Sequence, residues 1–114
     1  MTRNIWISYD LGIQGDYNHM YAWLDNHKAI ECGDSVAFIK YSIPHEMDDK
    51  EFVEYLSKDL EKSISFKPGD RVYLIRRVDE ENCSYGKFII GKRKANPWEG
   101  YGDSNGDESE DGQE

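Results

Sequence analysis

The chain has 114 residues, 38% of them hydrophobic and 13% aromatic, with 14 Lys/Arg against 23 Asp/Glu and a formal charge of −9. That length supports one domain with its own core, without help from staples. Its apolar runs are too short to span a bilayer, and two cysteines in no metal-ligand spacing exclude a disulfide framework or a zinc site.

Asn4–Asp10 (NIWISYD) alternates β-branched and aromatic residues and reads as a strand. Gly12 and Gly15 break it. Asp16 fits a helix N-cap, and Tyr17, Met20, Tyr21 and Leu24 follow at i, i+3, i+4, i+7, so a helix is expected to about His27. Gly33-Asp34 separates a short strand at Ala29–Cys32 from a longer one at Ser35–Tyr41. Asp48 and Glu51 have the capping-box spacing, and Phe52, Val53, Leu56, Leu60 and Ile64 mark a second amphipathic helix. Lys67-Pro68-Gly69-Asp70 is a turn, and Arg71–Val78 is a strand. A polar loop at Asp79–Ser84 leads to a last strand at 87–94. The expected architecture is α+β: the ferredoxin-like split β-α-β arrangement, β-α-β-β-α-β plus one added strand.

The domain is expected over residues 1–100. Residues 101–114 carry no Lys or Arg against 6 Asp/Glu and no aliphatic side chain, which reads as a disordered acidic tail. That tail either solubilises the chain or shields the basic stretch Lys67–Lys94, since residues 67–100 hold 8 Lys/Arg against 5 Asp/Glu. Two isolated thiols and no signal peptide point to a reducing cytoplasm, without a membrane.

A sheet with both helices on one face should alternate apolar and polar residues, and these strands do not. Large side chains fall on both faces, so something should cover the second one. A second copy of the chain is the simplest cover, and the segment around Trp98 is another. The face can also be read as a platform for single-stranded RNA, which stacks bases on strand aromatics. The residues singled out for the dimer or nucleic-acid face are Trp6, Tyr41, Arg71, Tyr73, Ile75, Arg77, Lys87, Ile89 and Arg93. The RNA-recognition signature run is absent, and the chain is acidic overall.

Smaller signals are weaker. Gly12 and Gly15 ahead of a helix are placed to offer N–H groups to a phosphate, although loop closure alone needs them. His19, His27 and His45 lack partners at ligand spacing. Cys32 and Cys83 read as packed thiols, and Lys92-Arg93-Lys94 as a solvated strand end or an anion patch.

Ser8-Tyr9-Asp10-Leu11, then Asp34-Ser35-Val36-Ala37-Phe38, then Leu60-Glu61-Lys62-Ser63-Ile64 leading to Asp70-Arg71-Val72-Tyr73-Leu74 occur in the order of a known family. The chain resembles the small CRISPR-associated partner of the spacer integrase over about residues 4–94, and more closely its stand-alone SinR-like relatives. The resemblance implies a homodimeric interaction or scaffold protein, linked to nucleic-acid defence, with a protein partner. It also implies an alternative activity, a divalent-metal-dependent endonuclease on RNA or DNA. There Asp10 from both subunits would be the catalytic residue and hold Mg²⁺, a cation that suits carboxylate oxygens and waters. Against nucleic-acid handling, residues 16–27 contain no Lys or Arg where the family often places them.

Overall fold

The computed structural model describes residues 1–103. The acidic tail expected over 101–114 therefore lies, from residue 104 onward, outside the described residues.

The chain forms β1 (Thr2–Asp10), α1 (Tyr17–Asn26), β2 (Ile30–Gly33), β3 (Val36–Ser42), α2 (Asp49–Ser63), β4 (Arg71–Val78) and β5 (Cys83–Ile90), with a short 3₁₀ turn at Asp79–Glu81. The five strands make one antiparallel sheet in the order β2-β3-β1-β4-β5. β1 is central, paired Ile5↔Ile39 on one side and Ile7↔Leu74 on the other. No helix of the described residues is long and apolar enough to cross a membrane.

Alternation decides which face meets the helices. Ile5, Ile7 and Tyr9 of β1, Ala37, Ile39 and Tyr41 of β3, and Val72 and Leu74 of β4 share one core with both helices. α2 contributes Phe52, Val53, Leu56 and Leu60, and Ile64 follows, as its stripe predicts. α1 is turned slightly from expectation: Met20, Trp23 and Leu24 are buried, while Tyr21 is exposed. Each fully buried aliphatic or aromatic side chain stabilises by roughly 1.5–3 kcal/mol, so this layer dominates the fold.

The caps hold as expected. The Asp16 carboxylate accepts the His19 N–H at 3.3 Å and opens α1. That of Asp48 accepts the Glu51 N–H at 2.8 Å and opens α2. Asp16 also accepts the Ser65 N–H at 2.8 Å, which, with the His19 bonds, holds its carboxyl below the usual range.

The last strand differs most from expectation. It starts at Cys83 and ends at Ile90, so Lys92-Arg93-Lys94 lies beyond it. Asn82 takes the left-handed conformation (φ 52°) and closes a hairpin that lets Cys83–Gly86 pair with β4. Gly91 (φ 75°) then turns the chain off the sheet; a Cβ there would meet the Asp70 carbonyl oxygen at 2.2 Å. Likewise Ser35 (φ 59°) belongs to the β2–β3 turn, which shifts β3 one residue later than expected.

Candidate interaction surface

The face away from the helices carries one apolar row and one largely apolar row, which run straight across the strands. Ile30, Phe38, Trp6 and Ile75 are successive cross-strand partners from β2 to β4, and the row ends on Gly86 of β5. Beside it runs Val36, Ser8, Tyr73 and Phe88. Direct cross-strand neighbours lie within contact, so each row is a continuous surface. Trp6 packs on Phe38 with ring centroids 5.0 Å apart, and Tyr73 meets Phe88 edge-to-face at 4.8 Å. The Tyr73 ring lies over Gly86, where a Cβ would come within 2.4 Å of the phenol oxygen. Yet Trp6 is 39% exposed and Ile75 41%. Lys40 and Asn4 form a polar border at one end, and Asp10 and Arg71 at the other.

The segment after β5 returns along this face. Residues 93–98 form, with Ser8, Asp10, Arg71, Tyr73 and Phe88, a hollow of about 450 Å³. It serves the Tyr73–Phe88 end alone. Trp98 itself is largely exposed, and neither Trp6 nor Ile75 lines that hollow.

Several singled-out residues share this surface, and three do not. Trp6, Arg71, Tyr73, Ile75 and Arg77 lie on it, and Arg93 borders it. Tyr41 is a correction. It lies in the core on the helix side, 2% exposed, because it alternates with Ala37 and Ile39. Lys87 pairs with Leu74 and so also belongs to the helix side. Ile89 sits in a bulge, where the β4–β5 register shifts between Val72 and Tyr73, and packs against the core. One extra residue on a strand reverses the alternation beyond it.

Asp10 ends β1 with its carboxylate bound to Arg71 at 2.5 Å and its side chain 59% exposed. It opens onto the hollow that Arg93 and Lys94 line. Among the described residues, no group of three or more His, Cys, Asp or Glu is placed to hold a metal ion. With a guanidinium on its only carboxylate, this site within one chain does not fit Mg²⁺.

The loop after Asp10 is held by a residue the sequence did not single out. Asp70, 2% exposed, accepts the Gly12 N–H and the Lys67 N–H, each at 2.8 Å, tying the β1–α1 loop to the start of β4. Gly15 donates to the Gly12 carbonyl at 2.8 Å. Both glycine amides are thus occupied internally, which agrees with loop closure and not with the phosphate-binding alternative. Gly15 is required by space, since a Cβ would lie 2.5 Å from that of Leu11.

Two further polar clusters lie on the helix side. Arg76 shares the buried face of β4 and makes a two-point ion pair with Asp49, at 2.9 and 2.7 Å. Those bonds hold the Asp49 carboxyl below the usual range. Asp59 of α2 accepts the Trp23 indole N–H at 3.0 Å and the Tyr41 hydroxyl at 2.7 Å, with His27 Nε2 at 3.6 Å. Burial and the Asp59 bond push the Tyr41 phenol well above its ordinary pKa. A charged residue at a buried-parity position of β4 was the signal for Arg76; nothing local marked Asp59. Of the other histidines, His19 binds Asp16 and His45 binds Glu51 on the surface. Cys32 and Cys83 are exposed, not packed as expected, because they fall on the two outer strands of the sheet.

No family model, curated protein or solved structure matches this chain.

Proposed function

We propose that the chain is a ferredoxin-like interaction domain that pairs with a second copy through the open face of its sheet. On this reading it acts as a non-catalytic scaffold, as the CRISPR-associated integrase partners it resembles are thought to do. The strand order, with β1 between β3 and β4 and both helices on one side, supports the fold name. The observation that carries the pairing is the row Ile30–Phe38–Trp6–Ile75, apolar across four strands and bordered by polar residues. An apolar centre with a polar rim is the anatomy of a protein interface.

Sedimentation of the native chain at micromolar concentration tests the proposal. A dimer is expected, and the double substitution of Trp6→Lys with Ile75→Glu should yield a folded monomer. A native monomer overturns it. The endonuclease alternative has its own measurement. With Mg²⁺ and either single-stranded RNA or double-stranded DNA, no cleavage that Asp10→Ala removes is expected. Cleavage lost in that variant would restore Asp10 as a catalytic residue supplied by both copies. For single-stranded RNA two of the cations on this face already have partners, Arg71 with Asp10 and Arg77 with Asp79, so weak binding is expected.

A further inference from the structure

We infer that the outer edge of β3 at Lys40–Ser42 takes an extended acidic peptide of a partner protein as an added strand. The inference concerns the outer edge of the sheet, which adjoins the open face and shares Ile30 and Phe38 with it, and does not rest on the proposed dimer.

Among the described residues the edge is free, because β2 is too short to cover it. β2 pairs with β3 only from Val36 to Phe38, whereas β3 continues to Ser42. The hydrogen bonds at the ends of β3 show which way its backbone points. The Ser35 carbonyl accepts from Tyr9 N–H, and Ile43 N–H donates to the Met1 carbonyl. Both therefore face β1. In an antiparallel strand the N–H and C=O of one residue share a side, and that side alternates along the chain. Phe38, Lys40 and Ser42 then face outward, and β2 satisfies Phe38 alone. The chain entering β2 does not help. Lys28 N–H bonds back to Asp25 and Ala29 N–H to Leu24, both at 3.0 Å, in the double closure that ends a helix. Lys28 holds the left-handed position of that closure (φ 56°), where glycine is usual, so a cation stands at the gap.

The gap is a hollow of about 400 Å³ between the end of α1 and this edge. Its polar lining includes Lys28, Lys40 and His27, its apolar lining Ile30 and Phe38, and none of its lining residues is acidic. In a chain with 23 Asp/Glu against 14 Lys/Arg, that composition is a local reversal of sign. Among the described residues neither lysine has a carboxylate partner. Unpaired strand edges recruit strands, and lysines at an edge ordinarily discourage this. The same lysines repel a basic strand and attract an acidic one, so they select the partner as well as guard the edge. Main-chain bonds to Lys40 and Ser42 would supply register, and the lysines the charge preference.

The probe is the capped octapeptide of alternating valine and glutamate, titrated into the isotope-labelled full chain while the amide signals of Lys40 and Ser42 are followed. Saturable shifts at those two amides, with slowed hydrogen exchange, are expected. Lys40→Glu should weaken binding at least tenfold. Ser42→Pro, which removes an outward-facing N–H that β2 does not reach, should abolish it; near-ultraviolet dichroism from Trp23 and Tyr41 reports whether that variant is folded. The dimer-face variant Ile75→Glu, on β4 and two strands from this edge, should bind unchanged, which separates this edge from the proposed dimer face. Four results would each overturn the inference: equal binding by a backbone N-methylated peptide, equal binding by the valine–lysine peptide, shifts confined to β5, or no saturable shift at millimolar peptide.

Discussion

Two aspartates sit within reach of the β1–α1 loop and do different work. Asp10 is exposed and makes one surface ion pair with Arg71, an interaction worth about 0–1 kcal/mol. Asp70 is buried and accepts two backbone N–H groups whose loss would leave both unpartnered. Hydrogen bonds to a charged group contribute more than neutral ones, so Asp70→Ala should destabilise by about 2–4 kcal/mol. Asp10→Ala should cost less than about 1 kcal/mol. Urea denaturation of the two variants reads this directly. A larger loss from Asp10→Ala would mean that the loop is anchored from β1, contrary to the geometry. Asp10 was marked by the family resemblance and by its place at the end of a patterned strand, whereas Asp70 looked like an ordinary turn residue. Its carboxylate acts across 58 positions of chain, and nothing local announces that.

At the scale of elements, period and capping were legible, while pairing was not. The α2 stripe, both N-cap aspartates and the bounds of β4 follow from spacing alone, because each depends on neighbours in sequence. β5 was placed four residues late, since Cys-Ser-Tyr-Gly reads as a turn until β4 is beside it and the Tyr73 ring covers Gly86. The bulge at Ile89 likewise needs the partner strand to exist. The tie between α2 and β4 yields a pH prediction. Arg76 holds the Asp49 carboxyl below its usual range, so the folded chain binds that proton less readily than the unfolded one. The resulting stability is complete above the ordinary carboxylate pKa of about 4. It is lost as pH falls through the lowered folded value, because protonation is then coupled to unfolding. Asp49→Asn should make the acid limb of a stability profile shallower while leaving the Asp16 contribution, which has the same sign. An unchanged acid limb would show that the Arg76–Asp49 pair is not what titrates.

For the molecule as a whole, the uneven charge read from the sequence acquires a location. Arg71, Lys92, Arg93 and Lys94 line adjoining hollows where the chain leaves β5, next to the exposed Asp10. The stretch that follows carries only acidic charge. Ending the chain after Gly102 removes six carboxylates and no cation, leaving a formal charge of −3 in place of −9. Between exposed charges the screening length is about 10 Å at 0.1 M salt, so a tethered acidic segment competes with an external polyanion mainly at low ionic strength. The shortened chain should therefore be retained longer on a heparin column at low salt, and the difference should vanish as salt rises. A general change in net charge would act on any cationic variant alike. Charge reversal at Arg93 and Lys94 should therefore abolish the gain if these residues are the polyanion's target. Identical elution of the full and shortened chains at every salt concentration would remove any shielding role for the acidic end. It would then serve only to keep an acidic chain with a partly open apolar face in solution.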